Sequence, residues 1–247
     1  MDKRPFHIVL LSPYCLLRPT TNRIYDMRLC DGLAGHGNPV TVVYPFTYMR
    51  DNIRWSSIPR AYGMRNGVQR RMLFTPLTEN APTLWRFLVL LAAFTWAMFR
   101  VTVEGILLRR KTLILSRDAK SLIPAILFRR VFAWIFNARV IYIASEAKDA
   151  PIFKWVVRNS DGVMAGVTTT RQRIQQLVPL PAERFMLSLA PVPAPLVDCS
   201  KEEARKTIGY TDKQPLVVYT GKLGMDVNEL LYIFEAASLC PDYIFLF

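Results

Sequence analysis

The chain is poor in the residues that most often carry chemistry, with 2 histidines and 4 cysteines among 247 residues. Cys15, Cys30, Cys199 and Cys240 lie far apart and form no Cys-x-x-Cys pair, so neither a zinc site nor a disulfide framework is expected. His7 opens an apolar run and His36 sits in the turn "GHGN", which points to structural roles for both. No G-x-G-x-x-G follows the first apolar run, and this disfavours a nicotinamide enzyme. Acidic residues are in deficit too: 19 Asp and Glu face 32 Lys and Arg, a net charge of +13. That balance calls for an anionic partner, whether nucleic acid, a phosphorylated substrate or an anionic lipid surface. For nucleic acid the charge stands alone, without a recognition motif, an aromatic platform or a base-reading basic helix, and no nucleic-acid partner is expected. "MDKRPF" runs directly into a core strand without a charged-then-apolar leader, so a cytoplasmic, reducing environment is expected.

What is present is apolar material, 51% of the chain, enough for one large or two modest domains. Strand-like runs alternate with helix-periodic stretches, which predicts an α/β fold with a parallel sheet covered by helices. "FHIVLL" is the first strand. Ile24, Met27, Cys30 and Leu33 then recur at three-residue steps, predicting a helix that Gly35 and Gly37 stop. "VTVVYP" is the second strand, and residues 46–83, with Pro59, Pro76 and Pro82, read as loops plus a short strand around "RRMLFTP". Strands are further expected at "TLILS", "RVIYIA", "DGVMAGV" and "ERFMLSL", and helices at "SLIPAILFRRVFAWIF" and "TTTRQRIQQLV".

Phe87 to Phe99 forms an apolar run broken only by Thr95 and bracketed by Arg86 and Arg100. That is shorter than the ~20 residues a bilayer span needs. A buried helix is the first expectation; the other is an interfacial segment with its arginines on phosphates. "LLRRK" and "LFRRVFAWIF" add cations beside Trp and Phe and support the second.

"APVPAP", with three prolines in six residues, makes a stiff connector. It divides the chain into residues 1–190, a hinge at 191–199 and a second domain at 200–247. There Ser200 and Glu203 carry a capping-box pattern closing at Gly209. "PLVVYTG" and "DYIFLF" flank a helix, and a parallel sheet that ends in its second strand reads as truncated.

This order of elements resembles the N-terminal half and hinge of a family 4 glycosyltransferase. The resemblance is strongest at residues 6–45 and 160–247. It is carried by Thr20, Thr21 and Asn22 with Met27 and Cys30 after them, by "SRD" (Ser116 to Asp118), by "DGVMAGVTTT" (Asp161 to Thr170), and most specifically by "PLVVYTGKL" (Pro215 to Leu223). It implies two facing Rossmann-like domains of the GT-B type, the second incomplete here. It also implies transfer of a sugar, with retention and without metal or other cofactor, from a nucleotide-diphosphate sugar to a hydroxyl acceptor. The acceptor side is expected in cell-surface polysaccharide or glycolipid synthesis, lipid-linked and met at the inner face of an anionic membrane, because the basic and aromatic segments between residues 84 and 136 suit such a surface.

By the same resemblance Gly221 and Lys222 meet the donor diphosphate and Thr20, Thr21 and Asn22 face it, while Arg117, Asp118, Ser145, Glu146 and Thr168 line the acceptor side. The chemistry is coherent: Gly221 permits close approach, and Lys222 supplies charge to the leaving diphosphate. Read without the family, Gly221-Lys222 is a turn and Thr21 or Asn22 a helix cap. Three family features are absent. Ser145 stands where a His is usual, Val227 about where a second basic residue is usual, and the family's position for two glutamates spaced eight apart would come after Phe247. The chain as given is therefore expected to bind donor weakly and turn over little; the alternative is a non-catalytic Rossmann-like binding module left by truncation.

Overall fold

A computed structural model describes residues 5–17, 20–48, 53–78, 82–187, 200–210, 214–218 and 227–246. By its internal contacts the chain divides into two compact units, Met1–Ala194 and Pro195–Phe247.

The first unit is built on a parallel sheet. Its strands are β1 (His7–Leu11), β2 (Val40–Tyr48), β3 (Val68–Thr78), β4 (Thr112–Ser116), β5 (Ala138–Ala144), β6 (Gly162–Ala165) and β7 (Phe185–Leu187). They lie in the order β3-β2-β1-β4-β5-β6-β7, every neighbouring pair parallel. The expected α/β class, a Rossmann-like parallel sheet flanked by helices, is the observed one. β1 is buried along its whole length, as a continuous apolar strand covered on both faces should be. Its residues alternate between two cores. Ile8 and Leu10 pack with Met27 and Cys30 of α1 (Thr21–Gly35) and with Ile58 and Tyr62 of α2 (Ile58–Tyr62). Val9 and Leu11 share the other core with Phe94, Met98 and Val101 of α3 (Thr83–Leu107) and with Leu122, Ala125 and Ile126 of α4 (Ala119–Val131).

α1 stops as expected: Gly37 has φ +81 and donates its N–H to Ala34 O at 2.9 Å, a left-handed conformation that glycine adopts without strain. His7 is buried in the β1 ladder, its Nε2 2.9 Å from Thr41 Oγ1, and burial with the nearby Arg110 and Arg71 charges lowers its pKa. It lies at the amino end of β1 and is structural.

Four expectations are corrected. Residues 46–83 are more ordered than loops plus a short strand. β2 and β3 pair through a register shift at Pro45 to Thr47, and Pro76 falls within β3 on the sheet edge, the places where a strand tolerates proline. The run Phe87–Phe99 is helical as expected, the middle of the 25-residue α3, but it is buried on one face only, with Leu88, Trp96 and Phe99 exposed. α4 ends at Val131 rather than running on to Phe136, because Phe136 turns back into the core. Finally, α5 (Pro151–Asn159) carries a strong apolar face of Phe153, Val156 and Val157 in a stretch where no helix was expected. α6 (Thr168–Leu177) then precedes β7. Before β6, Asp161 ties the layer together: Oδ2 accepts from Val140 N at 2.8 Å, and Oδ1 pairs with Arg129 at 2.6 Å and Arg139 at 3.2 Å.

In the second unit α7 (Lys201–Thr207) has the expected capping box, with Glu203 N donating to Ser200 Oγ at 3.1 Å and Ser200 N to Glu203 Oε2 at 2.8 Å. β8 (Leu216–Val218) pairs in parallel with β9 (Ile244–Leu246), and α8 (Val227–Leu239) connects them.

Gly105 of α3 sits under Phe136, where an added Cβ would lie 2.6 Å from the ring. Gly105→Val should lower stability by about 1–3 kcal/mol, seen as a lower urea midpoint at constant slope. An unchanged midpoint would contradict this packing.

Candidate functional site

The strand order reverses between β1 and β4. After β1 the chain crosses to α1 on one face; after β4 it enters α4 on the other. Diverging helices leave a crevice beyond the carboxyl ends of those strands, the usual ligand position in an open parallel sheet. A cavity of about 580 Å³ occupies it, within the size range of small-molecule sites.

Each neighbouring element contributes to its wall. Tyr14 comes from the loop after β1, Asp26 from α1, and Arg117 and Asp118 from the residues after β4. Tyr142 rises from β5, Ser145, Glu146 and Lys148 follow that strand, and Ile152 and Phe153 open α5. Four of the five acceptor-side residues expected from sequence, Arg117, Asp118, Ser145 and Glu146, thus share one cavity. Thr168 is elsewhere, an exposed first residue of α6 that does not line it. Thr20 occupies the cap position of α1 without a side-chain capping bond. The side chains of Thr21 and Asn22, and all of Gly221 and Lys222, lie outside the described residues.

The strand ends are fastened together. Ser116 Oγ donates to Leu11 O at 2.6 Å and accepts from Asp118 N at 3.1 Å. Asp118 Oδ2 accepts from Ser121 N at 2.8 Å and Ser121 Oγ at 2.7 Å, so this carboxylate caps α4 as well as facing the cavity. "SRD" is thereby a structural clasp that presents Arg117. That guanidinium lies 4.6 Å from the Tyr25 ring centroid and 3.7 Å from Asp26 Oδ1.

Asp26 is one of the lining residues that sequence reading did not single out. Its side chain is 3% exposed, and Oδ1 has no hydrogen-bond partner. Burial pushes its carboxyl up to about 7, with Arg117 opposing only in part. The signal was visible as an acid beside Met27 on the apolar face of α1. Burial, with the charges of Asp118 and Glu146, also raises the pKa of Tyr142, keeping it a protonated donor against Phe153, whose ring meets it edge-on at 5.7 Å. At the exposed rim Lys148 Nζ is 2.7 Å from Glu146 Oε1, a hydrogen bond that raises the lysine pKa. The cavity thus offers aromatic walls, a largely buried cation–carboxyl pair and a charged rim, an apolar lining with a few polar groups of both signs.

No protein-family model matches the sequence, and no curated protein matches it. In fold the chain is similar to the crystal structure of a glycosyltransferase from Rickettsia africae ESF-5, with a TM-score of 0.60 and 9% identity over 95% of this chain and 57% of that one. It therefore spans little more than half of that structure's length. MurG of Acinetobacter baumannii (TM-score 0.47, 12% identity, 89% of this chain and 54% of that one) is more distant in shape. So is UGT73P12 of Glycyrrhiza uralensis (TM-score 0.48, 9% identity, 99% of this chain and 69% of that one). Neither bears on function, and at such identities the likeness is one of fold.

The carboxyl of Asp26 predicts a pH dependence. In the unfolded chain it ionises near 3.9, and in the native chain only near 7. The native state therefore binds the extra proton between those values, and stability falls as pH rises through that window, by up to about 1.4 kcal/mol per pH unit from this group. Asp26→Asn should remove that slope and leave the variant relatively more stable at pH 8 than at pH 5. Urea midpoints at both pH values check this, and a wild-type slope retained in the variant would refute it.

Proposed function

We propose that this protein transfers a sugar from a nucleotide-diphosphate sugar to a hydroxyl acceptor, and that the cavity at the β1–β4 reversal holds the acceptor. The observation that carries the reading is that cavity itself, about 580 Å³ at the strand-order reversal of a seven-stranded parallel sheet, in a chain whose fold is similar to that of a solved glycosyltransferase. Tyr14, exposed at the cavity, offers a face for a saccharide ring, the largely buried Tyr142 and Phe153 line the wall, and Arg117 and Glu146 offer charge to the ring's hydroxyls. Retention of configuration and a family 4 relationship are part of the proposal and rest on the sequence resemblance. So do a place in cell-surface polysaccharide or glycolipid synthesis, a lipid-linked acceptor and a cytoplasmic position at the membrane's inner face.

On the donor side the proposal rests on the sequence resemblance alone, which gives donor-diphosphate roles to Gly221 and Lys222 in the second unit and to Thr20, Thr21 and Asn22 in the first. Departure of a nucleoside diphosphate accumulates negative charge, and a lysine at that point stabilises the departing group more than the bound donor. Lys222→Ala removes a charge-assisted hydrogen bond of about 1.5–3 kcal/mol, so the affinity for the preferred donor should drop by roughly ten- to a hundredfold. Calorimetric titration with a panel of nucleotide-diphosphate sugars reads the effect. Equal affinity in wild type and variant would remove Lys222 from the donor site.

A further inference from the structure

α3 is apolar on the wrong side as well as the right one. Its inner face, with Phe94, Ala97, Met98 and Val101, is buried on the sheet. Its outer stripe runs through Leu84, Leu88, Trp96, Phe99, Val103 and Leu107, all exposed, Trp96 by 58%. A helix on a soluble protein places polar residues along such a stripe. The charged residues of α3 are Arg86, Arg100 and Glu104, and Glu104 is held by Arg71 in a two-pronged pair at 2.8 Å. The patch continues beyond the helix: Leu127, Val131 and Trp134 are exposed beside it, Trp134 by 82%. A shallow apolar depression lined by Leu91, Trp96, Phe99 and Phe128 joins the two helices.

Charge identifies the occupant. Between residues 84 and 136 the sequence carries nine Lys and Arg against two acids, Glu104 and Asp118. Exposed Arg100, Arg109, Arg110 and Arg130 lie on α3, α4 or the turn after α3. An apolar stripe with tryptophans and a surround of cations is the composition of a helix lying in the headgroup region of an anionic bilayer. α3 is long and apolar enough to cross a membrane, but its inner face is part of the sheet's core, and crossing would strip that core.

We propose that the outer stripe of α3, with Trp134 and its neighbours at the end of α4, docks on an anionic lipid bilayer with α3 parallel to the surface. Docking places the functional cavity at the membrane. A groove of about 200 Å³ lined by Phe87, Leu90, Leu91 and Phe94 runs beside the start of α3 and shares Tyr14, Asp118 and Lys120 with the cavity. An acceptor borne on a lipid would reach the cavity along it. That consequence rests on the sugar-transfer reading; the docking does not.

The test is vesicle flotation of the chain with phosphatidylcholine alone and with phosphatidylcholine mixed with phosphatidylglycerol, at low and high salt. Binding to the mixed vesicles at low salt, weakened by salt, is expected. The double substitution Trp96→Glu and Phe99→Glu should reduce it at least about tenfold, with far-ultraviolet circular dichroism unchanged because both side chains are exposed. As a conservative check, brominated acyl chains should quench tryptophan fluorescence less in Trp96→Phe than in wild type. The proposal is overturned if mixed vesicles are not bound, if the double variant binds as well as wild type, or if neutral vesicles bind equally. It is also overturned if sedimentation shows a dimer that the double substitution dissociates while vesicles go unbound. Vesicle binding needs no turnover, so failure here and failure of the sugar-transfer reading are separate results.

Discussion

The hydrogen bond from Ser116 to the carbonyl of Leu11, 2.6 Å long, closes the sheet where its strand order reverses, and the geometry of the site follows from that point. β1 and β4 must stay adjacent while their following segments leave in opposite directions. The Ser116 hydroxyl holds the two ends together, receives the Asp118 amide, and so sets the first turn of α4. Arg117, between those two residues, is delivered to the crevice with Asp26 and Tyr25 on either side. A cavity at this place is a consequence of topology; its polarity comes from Arg117 and Asp118 after β4, Asp26 of α1 and Ser145, Glu146 and Lys148 after β5.

The same sheet explains why α3 carries apolar residues all round. One side answers to Val9, Leu11 and Ile114 in the core. The other answers to no protein surface among the described residues, and cations at both ends of the helix are what an anionic lipid surface would require. Asp26 presents the converse case, a carboxyl kept in an apolar layer at the cavity wall. Burying a carboxyl costs stability, and the Arg117 guanidinium 3.7 Å from Oδ1 offsets that only in part.

Much of the fold was legible from periodicity. The three-residue steps of α1, the apolar runs of β1, β4 and β5 and the capping box at Ser200 are local signals, and they survive folding unaltered. The elements that eluded sequence reading are those decided by neighbours. β3 tolerates Pro76 because it is an edge strand, α4 stops early because Phe136 packs under α3 against Gly105, and α5 is too short for its period to stand out between Pro151 and Asn159. Of the residues that the resemblance singled out, Arg117, Asp118, Ser145 and Glu146 line one cavity, and the parallel register of β4 and β5 brings them together. Tyr14, Asp26, Tyr142 and Phe153 line it too and were not singled out, because no local pattern marks a residue that comes to face a cavity only on folding.

The central claim is that the crevice at the strand reversal is where this chain takes its hydroxyl-bearing ligand. Hydrogen exchange measured with and without saccharide acceptors, free and lipid-borne, addresses it most directly. The account predicts slower exchange in residues 117–121 and 145–153 with at least one acceptor class, and loss of that protection in Arg117→Ala. Protection confined to other segments, or equal protection in Arg117→Ala, would contradict it.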